Sequence, residues 1–283
     1  MARRIATTHP PGGATGFRAG RLAALLTALV GAHSLLTPVT AQPTPAAAPT
    51  AAETPLSKAC QPGASALAGG PPLANVAAAL AQRKQLRILA FGAAPGRISR
   101  RGGYTALIES MLARALKGID VIMINRGVSG ELAANAAVRM KNEVALEEPD
   151  LVLWQVGTND ALAYVAADEF AATVKEQLDW LKAHKVDVVL VGLQFAPEML
   201  RDAHYIEIRD TLRKVAAAEN VPVVRFFEAM QIINRADTDG PGPVADEFER
   251  DEAGYNCLAQ YVARAITLGV FAKGMPKRVP AAQ

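Results

Sequence analysis

The sequence predicts an α/β fold: a three-layer α/β/α sandwich around a five-stranded parallel, flavodoxin-like sheet. Three observations predict it. Short continuous apolar runs such as LRILAFG (residues 86–92) and DVVLVG (187–192) recur along the chain, as expected of strands buried on both faces of a parallel sheet. Stretches with apolar residues at three- and four-residue steps lie between them, the mark of amphipathic helices. The links are short, so strand and helix alternate as in a doubly wound sheet.

The elements follow in order. Residues 73–85 have helical spacing and lead into the first strand, 86–92. Residues 104–118 form a helix that stops on Gly118. The second strand spans 119–125, and a helix covers 131–146. The third strand, 150–157, precedes a long amphipathic helix at 166–185. The fourth strand spans 186–194, a helix covers 204–220, and the fifth strand spans 221–227. A loop at 236–251 (ADTDGPGPVADEFERD) then leads to a closing helix at 252–270. No repeat of 20 to 50 residues is visible. One domain, 59–275, with a short tail at 276–283, is the economical organisation.

Residues 1–41 read as an export signal. Arg3, Arg4, Arg18 and Arg21 precede the apolar run LAALLTALVGAHSLL, and small residues end at Ala41. The run is short for a membrane span; an uncleaved N-terminal anchor is the alternative, and only then would the protein sit on a membrane. The segment carries four Arg and no acid, so the formal charge of +3 becomes 3 − 4 = −1 after cleavage. The basicity therefore belongs to export, and nucleic-acid binding is not implied. Residues 42–58, rich in Pro, Ala and Thr, read as a disordered tether. The two cysteines, Cys60 and Cys257, suit one disulfide in an exported protein, periplasmic or extracellular; two separate buried thiols are the alternative.

In open parallel sheets ligands bind beyond the carboxyl ends of the strands. That rule selects GAAPGRISRRGG (92–103), NRGVSGE (125–131), GTNDALAY (157–164), QFAPEMLRDAH (194–204) and FFEAMQ (226–231), with DEFERDEAGY (246–255) within reach. The Gly130 backbone N–H and the Asn159 amide would make two donors for a developing negative charge, as an oxyanion hole requires. Turn glycines at 127 and 130, with Asn159 and Asp160 capping the next helix, are the structural alternative.

The order of these blocks resembles the SGNH (GDSL-type) hydrolase family of esterases and lipases over nearly all of residues 60–270. NRGVSGE resembles the family's glycine block and GTND its asparagine block; DVVLVGLQFAP and DEAGYNCLAQ also look like segments of exported members. The resemblance implies a three-layer α/β/α fold, hydrolysis of esters (often acyl or acetyl groups on carbohydrates), a Ser–His–Asp mechanism, and no metal or cofactor. Carried onto this chain, it assigns oxyanion donors to Gly130 and Asn159.

Two chemical positions depart from that pattern. Aligning Gly92 with the glycine of the first block puts Ala94 at the nucleophile, and alanine has no oxygen to attack a carbonyl. Counting back from Gly254-Tyr255 puts Asp246 at the orienting Asp and Glu249 at the His. At an ordinary pKa of about 4.3, Glu249 is poorly matched to activating a hydroxyl. In subtilisin, loss of the Ser or the His alone costs about a million-fold in turnover, so a double loss predicts hydrolysis near background.

Candidate substitutes are Ser99 or Ser129 as nucleophile, with His204 or Glu249 as base. His184 falls at the wrong end of the sheet. Arg126, Gln155, Gln194 and Tyr255 suit a polar pocket and equally suit structural hydrogen bonding. The reading that follows is an exported pseudo-hydrolase that binds a polysaccharide, an acylated glycan or an envelope protein. An active carboxylic-ester hydrolase with relocated residues is the alternative.

Overall fold

The computed structural model describes residues 55–66, 70–92, 103–238 and 247–272. Five parallel strands run in the order β2-β1-β3-β4-β5, the flavodoxin-like arrangement expected. They are β1 (Gln85–Phe91), β2 (Asp120–Asn125), β3 (Leu151–Gln155), β4 (Asp187–Val191) and β5 (Val223–Val224). Ile88 stands beside Leu151, and Leu151 beside Asp187, so the three central strands are in step. Every residue of β3 is buried; each fully buried large apolar side chain contributes about 1.5–3 kcal/mol.

Alternate residues of each strand feed two cores. Leu86, Ile88, Leu151, Leu153 and Val189 pack under α1 (Ala74–Arg83), α2 (Gly103–Ala115), α7 (Phe226–Thr238) and α8 (Glu247–Phe271). Leu89, Val152, Trp154, Val188 and Leu190 pack under α3 (Ala133–Glu147), α5 (Ala167–Ala183) and α6 (Ala203–Ala218). The first face is also stapled covalently. Cys60 and Cys257 form a disulfide, the Tyr261 hydroxyl donates to the Cys60 carbonyl (2.6 Å), and the Ser57 N–H donates to Gln260 Oε1 (2.6 Å). The segment before the domain is thereby fastened to its last helix, through a separation of 197 residues. Among the described residues no helix is long and apolar enough to cross a membrane.

The structure corrects several boundaries. The fifth strand is two residues long, not seven. Pro222 has no N–H for a ladder, and Phe226, Met230 and Ile233 fall at helical spacing, so the chain coils at once after Arg225. FFEAMQ, read as a loop, is the start of α7; Phe226 packs into the first core and Phe227 into the second. The loop expected at 236–251 is shortened at both ends by helices, since α7 reaches Thr238 and α8 begins at Glu247. GTND is likewise not a loop but opens the short helix α4 (Thr158–Leu162).

Candidate functional site

The site is built from the turns after β2 and β3. The chain leaves β3 through Gly157, at φ 103°, where a Cβ would lie 2.6 Å from Leu193 Cδ1. Only glycine tolerates both the backbone conformation and the space. That tight exit places Asn159 in the first turn of α4. Its Nδ2 donates to the Glu131 carbonyl (3.0 Å), so the amide lies against the peptide that follows Gly130.

The β2 exit is held as firmly. Asn125 Oδ1 accepts from the Gly127 N–H (2.9 Å), and the Glu131 N–H donates to the Val128 carbonyl (3.4 Å). Gly130 is the third residue of that turn, at φ 77°, a position that favours glycine. Nothing lies within 4 Å of where its Cβ would be, so conformation and not crowding selects the residue. Among the described residues no acceptor takes the Gly130 N–H. Arg139 clamps the turn from α3. It forms a two-point pair with the Glu131 carboxylate (2.9 and 2.8 Å) and donates to the Arg126 carbonyl (2.7 Å), while its guanidinium covers the Phe91 ring at 4.7 Å. Such two-point charged pairs fix geometry as well as add energy.

Asp160 does cap a helix, but the preceding one. Leu132, at the N-cap of α3, has no side-chain acceptor; Asp160 Oδ1 reaches across and accepts from the Ala133 N–H (2.9 Å). Burial holds the Asp160 carboxyl above its ordinary value, only partly offset by the backbone N–H groups of Ala133, Asp160 and Gly157. The two loops therefore form one unit: Asn159 and Asp160 from α4 each hold the entry of α3.

The other sequence-assigned residues divide. Ala94, Ser99 and Asp246 lie outside the described residues. Glu249 lies in the first turn of α8, and its side chain is outside them as well. Ser129 is exposed beside Gly130. His204 sits in the first turn of α6, with Nδ1 3.5 Å from Glu207 and its ring stacked on Tyr164 (5.2 Å between centroids). Among the described residues its buried Nε2 has no hydrogen-bond partner. His184 stacks on Trp180 at the C-cap of α5. Arg126 is structural, paired with Glu143 (2.8 Å) and Glu147 (2.6 Å).

Gln155, Gln194 and Tyr255 do converge, joined by Tyr104 and Tyr205. Gln194 donates to the Tyr255 hydroxyl, the Tyr205 hydroxyl donates to the Gln194 carbonyl (2.8 Å), and the Tyr104 hydroxyl lies 3.5 Å from Gln155 Oε1. Among the described residues the buried Gln155 Nε2 has no partner. Burial, with Tyr255 adding to it, pushes the Tyr104 hydroxyl well above its ordinary range; burial chiefly pushes Tyr205 up to about 12. Both tyrosines are therefore neutral donors. Sequence reading missed them because each looks like one more apolar position on a helix face. Among the described residues no three His, Cys, Asp or Glu side chains are grouped to hold a metal ion.

The model of the non-GDSL lipase-like family matches residues 59–272. Esterase TesA of Pseudomonas aeruginosa is 30% identical over 126 residues, which are 44% of this chain and 61% of the esterase. An arylesterase of Vibrio mimicus is 28% identical over 138 residues, 46% of this chain and 67% of that protein. Against the former, the match thus spans under two thirds of the relative's length. Among solved structures, an acetylxylan esterase from Geobacillus stearothermophilus superposes with a TM-score of 0.53 at 19% identity, over 64% of this chain and 94% of that one. That likeness shows the fold.

Proposed function

The chain belongs to the non-GDSL lipase-like family, and from that premise we propose that it is an exported, catalytically silent member of the SGNH type. In this reading the Gly130 N–H and the Asn159 amide bind the carbonyl oxygen of an ester carried on a glycan. One observation carries it. The Asn159 amide sits 3.0 Å from the Glu131 carbonyl and so beside the Gly130 turn. An amide has two N–H donors; one is spent on this anchor and the second serves a ligand oxygen. Donors fixed in advance in this way are what carbonyl-oxygen recognition needs.

Silence is read from the residues that replace the attacking groups. Ala94 supplies no nucleophile, and Glu249 replaces the imidazole. The esterase names of the relatives support an ester as the ligand. The Cys60–Cys257 bridge supports export, since structural disulfides persist in oxidising compartments.

The test is gain of function. The wild-type protein is expected to turn over p-nitrophenyl acetate at background and to take no fluorophosphonate label on any serine. The double variant Ala94→Ser, Glu249→His is expected to gain esterase activity of about a thousand-fold or more over that background. Robust wild-type hydrolysis that Asn159→Ala abolishes would refute silence and favour relocated residues.

A further inference from the structure

Tyr164 follows α4 directly. Its N–H donates to the Ala161 carbonyl (3.1 Å), and the turn closes with Val165 donating to Asp160 (3.0 Å). It holds a left-handed backbone, φ 54°, a conformation that costs a bulky residue energy and that persists where the surroundings impose it. What this conformation presents is a tyrosine that is 69% exposed as a residue. The ring does not float. It lies nearly parallel to the His204 imidazole, at 5.2 Å and 14°, and its hydroxyl is 3.5 Å from Asp202 Oδ2. Asp202 is itself fixed as the cap of α6, accepting from the His204 and Tyr205 N–H groups (2.9 and 3.0 Å).

We propose that Tyr164, backed by His204, is a stacking platform for a pyranose ring of a neutral glycan. One face of the tyrosine rests on the imidazole, and its high exposure leaves the opposite face to solvent. Pyranose rings present a face of C–H bonds, which suits the electron-rich face of an aromatic ring, and a ring of hydroxyl donors. The carboxylates of Asp202 and Glu207 flank the platform as acceptors. Their charge also selects against uronate or sulfated chains, which like-charge repulsion disfavours. Tyr164 is five residues beyond Asn159, just past the C-cap of the same short helix α4, so the platform continues the segment that carries the proposed ester site. The platform extends that site and rests on the ester-binding reading for its acyl group, but its affinity for the sugar does not require it.

Calorimetric titration of the purified protein with xylohexaose, cellohexaose and chitohexaose tests the platform. Saturable binding to at least one is expected. Tyr164→Ala should weaken it about tenfold or more, and Tyr164→Phe should stay within about threefold of wild type, both with unchanged melting temperatures since the ring is exposed. Absence of binding to all three sugars, or wild-type affinity in Tyr164→Ala, would overturn the proposal. If Tyr164→Ala loses the sugar while the Ala94→Ser, Glu249→His variant stays inert, the platform stands and the ester-binding reading falls.

Discussion

The two faces of the sheet are held together differently. The face under α1, α2, α7 and α8 is fastened by a covalent bridge and a dense apolar core around Tyr261. The face under α3, α5 and α6 carries the Gly130 and Asn159 turns, and those are fastened by hydrogen bonds and ion pairs: Asn159 to Glu131, Asp160 to Ala133, Arg139 to Glu131. Of the residues that the family resemblance sets at the attack on an ester, Ala94 follows β1, whose side chains feed both cores, and Glu249 belongs to α8 on the first face. The donors that should receive its oxygen belong to the second.

The covalent staple gives the largest expected effect. Replacing Cys60 and Cys257 by serine should lower the unfolding free energy by about 2–5 kcal/mol, read as a fall in denaturant midpoint. The long closed loop puts it toward the upper end. The Gly130 and Asn159 geometry should survive, so ligand affinity below the transition should not change. Lost affinity in the folded double variant would show that the two faces are not separable.

Asn159→Ala probes the second face. In the Ala94→Ser, Glu249→His background it should cut kcat by about a hundred- to a thousand-fold, the usual effect of one oxyanion donor, with stability nearly intact. A loss in stability as large as the loss in rate would make Asn159 a structural anchor only.

Asp160 comes next. Asp160→Ala strips the cap from α3 and should cost about 0.5–2 kcal/mol. Asp160→Asn keeps an acceptor and removes the charge. Because burial raises the folded-state pKa of Asp160 above its unfolded value, ionisation costs stability as the pH rises from about 4. Asp160→Asn should therefore gain on wild type from pH 3 to pH 7, followed by thermal unfolding at each pH. A gap that does not change with pH would contradict the assigned direction.

The smallest effect has the opposite sign. Gln177, on α5, is 1% exposed, and among the described residues neither its Nε2 nor its Oε1 has a hydrogen-bond partner. Gln177→Met, of similar shape, should raise stability by about 1 kcal/mol, seen as a higher melting temperature. A destabilised variant would mean that water or a neighbour satisfies the amide.

The sequence by itself determined the sheet, because two-sided burial of a strand writes a continuous apolar run, and residues such as those of β3 need no context to be read. It also marked the turns after β2 and β3, since Gly130 and Gly157 punctuate the chain beyond the carboxyl ends of those strands. Through the family resemblance it also set Ala94 and Glu249 at the positions of the attacking groups, an expectation that lies outside the described side chains. The start of α7 was legible too, in the spacing of Phe226, Met230 and Ile233, but two adjacent phenylalanines after two valines look like a strand until the sheet edge is known to stop at Val224. Tertiary structure alone decided the rest. Asp160 caps a helix 27 residues earlier in the chain, Asn159 anchors to Glu131, and His204 stacks on Tyr164. Each is a contact between side chain and distant backbone or ring, and no local spacing encodes it; only the packing of α3, α4 and α6 on one face brings those atoms within bonding distance.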